Sequence, residues 1–185
     1  MLWGVYMKRF STKNIVITAL LIAFGIIIPT AFGFLRITLP PAFTATLTAH
    51  VPIFIAMFIS PLSALLTAIG TALGFFFCGT PPVVAARAAS HIVFALVGAF
   101  MISRKCSILL CGVVTMLLHA LFEALVAYAF LALGWTSATD TTAWVTAYTT
   151  GIGTLIHHAL DYIIAIIVIK ALARANAIKN IPKLI

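Results

Sequence analysis

From Asn14 to Leu35 the chain runs 22 residues without an ionisable side chain, "NIVITALLIAFGIIIPTAFGFL". A helix of about 20 such residues spans a hydrocarbon core roughly 30 Å thick. In water it would present apolar side chains on every face, which a surface helix does not tolerate. The pattern recurs, since His50 is the one Lys, Arg, His, Asp or Glu between Arg36 and Arg87. Over all 185 residues 64% are hydrophobic and 8% charged, whereas a soluble domain carries about 25% charged residues. The sequence therefore predicts an all-α integral membrane protein, a single domain over residues 1–185 with no linker or second unit.

Six transmembrane helices fit, over residues 14–33, 42–60, 61–78, 82–103, 107–134 and 148–174, with "SPLS" dividing the second from the third. The first run is too long for a signal-peptide core and is expected to remain as a span. Lys8, Arg9, Lys13, Arg104, Lys105, Lys170, Arg174, Lys179 and Lys183 all fall before the first span, after the fourth, or in the last turn of the sixth and beyond it. An even number of spans puts those three segments on one side, and the positive-inside bias makes that side, with both termini, cytoplasmic. The net charge of +8 thus follows the membrane's rule and does not imply nucleic acid. Cys78, Cys106 and Cys111 have no metal-type spacing and are expected to be packing residues.

Ionisable side chains inside a span are costly and mark functional positions. Arg87 and His91 fall roughly 8 and 14 Å from the outer end of the fourth span, Glu123 about 16 Å from that of the fifth, and His158 about 15 Å into the sixth. His50 lies in the second span, and His119 and Asp161 near mid-depth. The polar groups thus occupy the outer half and the midplane, which predicts a pocket open to the outside. Arg87 with His91, His119 with Glu123, and His157 with Asp161 lie at i,i+4 and share helix faces. His157 and His158 point apart, so one of them at most should line a pocket. Pro52, read as interior to the second helix, should free a carbonyl near Thr48.

Arg36 and Arg87, with Asp140 the nearest acid on the outer side, bias the site toward an anion, and guanidinium suits a carboxylate. Trp135, Trp144 and Tyr148 flank the last outer loop and could face an aromatic ligand. Structural readings compete: His119 with Glu123 can be one structural pair, Arg87 can snorkel to the headgroups, and the tryptophans can belong to the interfacial belt. Ala19 with Ala23, and Gly70 with Gly74, are small-x-x-x-small pairs that permit close helix packing.

No G-x-x-x-x-G-K-[ST] loop, H-E-x-x-H or G-x-S-x-G occurs. The His, Glu and Asp set would also be compatible with an intramembrane metalloenzyme. No tight ligand spacing supports a metal, and two arginines at one depth oppose a cation, so neither metal nor enzyme activity is expected.

The whole chain resembles the S component, the substrate-binding subunit of energy-coupling factor (ECF) vitamin transporters. The stretches "FTATLTAHVPIFIAMFISPLSALLTAIGTALGFF" and "RAASHIVFALVGA" are similar to the niacin-specific branch, with threonines before "HVP", then "FISP", then Arg87 and His91. Leu2 stands where nickel- and cobalt-carrying relatives have a histidine after the initial methionine. The resemblance implies a multi-pass protein of the bacterial plasma membrane. It would capture nicotinate from outside and pass it inward when docked on a transmembrane coupling subunit and two ATPases that use the ATP. Ala19 and Ala23 match the family's docking pair. On this reading Arg87 meets the carboxylate, with Arg36 as the alternative, and His91 and His50 contact the carboxylate or ring nitrogen. Glu123, His158, Tyr148 and Trp144 are further site residues, and Phe32 to Pro41 form a lid. Pyridoxine or a thiamine precursor is the competing substrate, and a neutral one should gain little from Arg87.

Overall fold

The computed structural model describes residues 11–40, 43–136 and 141–175. Six helices run in chain order: α1 (Thr12–Ala31), α2 (Val51–Ile59), α3 (Pro61–Phe77), α4 (Pro82–Ser103), α5 (Ile108–Ala132) and α6 (Ala143–Arg174). Between α1 and α2 lies an antiparallel hairpin of β1 (Arg36–Leu39) and β2 (Phe43–Thr46), with Arg36 opposite Thr46 and Leu39 opposite Phe43. Lys8, Arg9, Pro41, Ala42, Asp140, Lys179, Lys183 and both termini lie outside the described residues.

The burial pattern is that of a protein dissolved in hydrocarbon. Phe24, Leu117, Leu121, Leu125, Ile156, Ile163 and Ile167 are exposed, while Ser63, Thr67, Arg87, Thr115, His119, Glu123, Thr154, His158 and Asp161 are buried. Apolar side chains can face outward without cost only where the solvent is itself apolar. Four helices, α1, α4, α5 and α6, are long and apolar enough to cross a membrane.

The helix boundaries follow local chemistry. Side-chain oxygens of Ser11, Ser60, Ser107 and Thr142 accept from backbone N–H groups of the first turns of α1, α3, α5 and α6, which satisfies donors a helix start leaves open. The Thr142 cap starts α6 five residues before the Tyr148 that the sequence suggests. Ser60 is extended at φ −172° and Pro61 opens α3, so "SPLS" does divide two helices.

The second span differs from expectation. Residues 43–46 form a strand and 47–50 a turn, leaving α2 only nine residues, or about 14 Å. Pro52 is therefore in the first turn of α2, where its missing N–H has no helical partner to lose, and not in a helix interior. The N–H groups of Thr48 and His50 instead donate to Asp161 of α6, at 2.6 and 3.0 Å. This carboxylate holds Thr48 in the left-handed region, φ 71°, a conformation costly for a β-branched residue.

α2 is the central helix, buried from Val51 to Phe58 and packed on α1, α3, α4 and α6. Thr18 meets Ser63, Gly70 faces Ile22 and Gly74 faces Ile26, so α1 and α3 run parallel and the Gly70–Gly74 pair is internal packing. Gly98 approaches Thr115 while Arg87 meets Glu123, so α4 and α5 are antiparallel. Tyr162 donates to the carbonyl of Ile108 and Thr154 to Glu123, so α5 and α6 are antiparallel too. Lys13, Arg104, Lys105, Lys170 and Arg174 consequently gather at one end of the bundle. The hairpin fills the opposite half above α2.

Phe43 is 1% exposed, and a Cβ on Gly153 of α6 would come 2.4 Å from its ring. Gly153→Ala must push β2 off α6, an overpacking cost of about 1 to 3 kcal/mol. A lowered melting temperature of the purified protein in detergent is the expected result.

Candidate ligand-binding site

A cavity of about 390 Å³ opens at the hairpin end, between the ends of α1 and α3, the start of α4 and the hairpin. Its deep wall is formed by His50, Arg87, His91, Glu123 and His157, with Arg36 and Cys78 toward the mouth. Small-molecule sites commonly measure roughly 300 to 1,000 Å³. The space exists because α2 is short: above its first turn the hairpin takes the place of further helix.

Glu123 joins three helices. Its Oε2 accepts from Arg87 Nη2 at 2.7 Å and from Thr154 Oγ1 at 2.6 Å, and its Oε1 lies 3.0 Å from His91 Nε2. Arg87 is 8% exposed and stacks its guanidinium over Phe43 at 5.4 Å. Snorkelling is thereby excluded. The expectation that only Asp140 could serve as a nearby acid is also corrected, because the i,i+4 faces of α4 and α5 meet and pair Arg87 with Glu123. Arg87 Nε keeps no partner.

Asp161 organises the second half. Besides the two backbone N–H groups it takes His50 Nδ1 at 3.2 Å, and His157 Nε2 lies 3.2 Å from it. His157 Nε2 also donates to the carbonyl of Thr46 at 3.0 Å, tying the hairpin to α6. The His50 ring centre lies 4.7 Å from that of His91, 4.6 Å from His119 and 4.8 Å from His157.

Donors fix the state of the deepest imidazole. The Thr115 hydroxyl donates to the Cys111 carbonyl at 2.7 Å, so the contact of its oxygen with His158 Nε2 at 3.2 Å needs the proton on His158. His158 Nδ1 then accepts from His119 Nδ1 at 2.9 Å. In a neutral His119 this leaves Nε2 with a bare lone pair. That atom is buried, unpartnered and 3.5 Å from Glu123 Oε1.

Of the residues expected at the site, Arg87, His91, His50, Glu123 and Arg36 line the cavity, whereas His158, Tyr148 and Trp144 do not. His158 is fully buried behind it, held by Thr115 and His119. Tyr148 and Trp144 are 71% and 73% exposed, on the outer surface of α6, with Trp144 against Tyr128. Trp135 is exposed as well and packs on Phe130. Cys111 is buried, but Cys78 is exposed at the mouth and is not a packing residue. The backbone and threonines of β2, and His157 in place of His158, are site components the sequence reading passed over. The His157–Asp161 spacing was the signal that could have indicated the second.

The side-chain atoms of His50, His91, His119 and Glu123 converge within 4.8 Å of one another, as do those of His50, His157 and Asp161. Sequence spacing showed only the His119–Glu123 part of this, since His50 precedes α2 and His91 is on α4 while His119 and Glu123 share α5. Of the two arginines expected to oppose a cation, Arg87 is paired with Glu123.

Glu123→Gln should leave the buried Arg87 charge uncompensated and destabilise the protein by about 3 to 5 kcal/mol. The double variant Arg87→Met with Glu123→Leu should recover most of that loss. Thermal melts of the three proteins in one detergent check both.

No protein-family model and no solved structure matches the chain. It is 33% identical over 183 residues to the niacin transporter NiaX of Lactococcus lactis subsp. cremoris (strain MG1363), across 95% of this chain and 82% of the relative. With the apolar exterior and spanning helices described above, it is a multi-pass protein of the bacterial cell membrane. At that identity and coverage, the chain belongs to the family of NiaX, the niacin branch of the ECF S components.

Proposed function

We propose that this chain captures niacin from outside the cell and delivers it through an ECF-type importer. The carrying observation is a cavity of vitamin size whose buried wall holds a guanidinium and imidazoles in an otherwise apolar bundle. Nicotinate is a flat pyridine with one carboxylate, so it asks for a cationic donor, polar contacts and an apolar surface. Arg87, fixed by Glu123, supplies donors from the deep wall. Arg36, exposed on β1 with only the carbonyl of Pro29 at 3.5 Å, supplies a guanidinium from the mouth. His91 and His50 stand where the ring nitrogen or carboxylate would reach.

The reading takes residues 1–185 as one domain that crosses the membrane six times, with α2 and the hairpin together serving as the second crossing. Both termini are then cytoplasmic, with the basic end of the bundle inside and the cavity outside. The hairpin acts as the lid, shutting water from the ion pair and so strengthening it. Lacking a nucleotide loop, the chain depends on a membrane coupling subunit and two ATPases for ATP use. Ala19, exposed on α1, and Ala23, half-buried, offer the coupling subunit a close approach.

Purified protein should bind nicotinate at least tenfold more tightly than nicotinamide, the value of roughly one charge-assisted hydrogen bond. Arg36→Ala and Arg87→Ala titrated against both ligands identify which guanidinium carries the preference. Equal affinities for acid and amide in the unaltered protein would remove the carboxylate argument. Ala19→Trp with Ala23→Trp should abolish uptake in cells while leaving nicotinate binding intact, and normal uptake would overturn the docking assignment.

A further inference from the structure

Glu123 Oε1 and His119 Nε2 face each other across 3.5 Å. The hydrogen-bond chain through His158 and Thr115 leaves a lone pair on that nitrogen, and a carboxylate oxygen carries lone pairs of its own. Two buried acceptors pointed together repel unless something positive lies between them. A hydrogen bond between them would hold them at about 2.7 to 3.2 Å. Two ligands on one tetrahedral ion, each about 2.0 to 2.1 Å from it, lie about 3.3 to 3.5 Å apart.

Two further imidazoles surround the gap. His50 donates a hydrogen bond from Nδ1–H to Asp161 at 3.2 Å, which leaves the lone pair of a neutral ring on Nε2. A carboxylate behind a histidine in this way is the usual arrangement at metal centres. His91 contacts the same Glu123 oxygen at 3.0 Å, and its Nδ1 is buried without a partner. Arg87 and Thr154 both donate to the other oxygen, Oε2, so among the described residues Oε1 accepts from His91 alone and keeps a lone pair. Closing the four donors onto one centre from their present 4.8 Å limit needs side-chain rotations of about an ångström.

Charge points the same way. With neutral imidazoles, the buried wall holds Arg87 against Glu123 and Asp161, one negative charge in excess. An anionic guest would add a second. A divalent ion turns that excess into one positive charge, which a single carboxylate cancels.

We propose that the cavity floor binds one divalent transition-metal ion through His50, His91, His119 and Glu123, and that the ion takes the vitamin as a fifth ligand by expanding its coordination. Three imidazoles and one carboxylate oxygen suit zinc, cobalt or nickel in preference to magnesium or calcium. The second half of the proposal rests on the niacin reading, since pyridine nitrogen and carboxylate are both ligands for such ions.

The test uses the full chain, purified in detergent, stripped with a chelator and reloaded with Zn²⁺ or Co²⁺. Metal content after dialysis is read by mass spectrometry, cobalt geometry by visible absorption, and nicotinate affinity by calorimetry in both states. One retained equivalent, an intense absorption of four-coordinate cobalt, and nicotinate affinity at least tenfold weaker in the stripped protein are expected. His119→Ala, which leaves the Arg87–Glu123 pair in place, should lose tenfold or more in metal affinity. Should that variant misfold, the cobalt spectrum of the unaltered chain still decides the matter. A chain that holds neither ion yet binds nicotinate overturns the metal site and leaves the niacin reading standing. Metal retained with unchanged nicotinate affinity on stripping overturns the coordination role. Metal retained with no nicotinate binding in either state supports the ion site and overturns the niacin reading.

Discussion

The carboxylate of Asp161 is what allows α2 to begin inside the bundle. The turn that enters α2 leaves the N–H groups of Thr48 and His50 to be satisfied from outside the local backbone. Asp161 receives both, one on each oxygen, and its negative charge offsets the positive end of the α2 dipole. Without it the preceding residues would have every reason to continue as helix. The hairpin, the cavity beneath it and the left-handed Thr48 all follow from that substitution of a side chain for a turn of backbone.

Burial of charge in hydrocarbon is tolerated here through dense pairing. Glu123 and Asp161 are each within hydrogen-bond reach of several groups, so neither desolvated carboxylate depends on a single contact. Replacing such pairs with apolar side chains of similar size often costs little stability. Their presence is thus poorly explained by folding alone. Among the described residues six buried side-chain atoms lack a partner: the hydroxyls of Thr67, Thr71 and Thr146, and Arg87 Nε, His91 Nδ1 and His119 Nε2. The three nitrogens are on residues that line the cavity or lie just beneath it, whereas the three hydroxyls are on residues outside its lining.

Much of this was legible in the sequence because hydrocarbon imposes a coarse rule on long apolar runs. α1, α3, α4 and α5 lie within two residues of their expected limits. The second span failed because an apolar run cannot distinguish a helix from a strand followed by a half-helix. The threonines at 44, 46 and 48 and Pro52 favour the latter only once Asp161 is known to stand opposite them. Spacing at i,i+4 placed Arg87 with His91 and His119 with Glu123 on shared faces. It could not tell that these faces meet, so Glu123 reads as a wall residue, which it is, but not as the counter-ion of Arg87. Trp144 and Tyr148 misled because a flat side chain near a span end reads alike whether it faces a ligand or lipid, and both face outward.

Two turns of α6 connect the parts. Thr154 serves Glu123 on α5, His157 the carbonyl of Thr46 on β2, His158 the His119–Thr115 chain on α5, and Asp161 the start of α2. These residues fall at i, i+3, i+4 and i+7, a single inward stripe on a helix. A shift of that stripe disturbs the lid, the half-helix and the imidazole cluster together, so stability and ligand binding are coupled along α6. Arg36 contributes from the exposed edge of the hairpin and shares none of these bonds. The deep wall of the cavity is therefore braced through one helix, while the guanidinium toward its mouth stands outside that network.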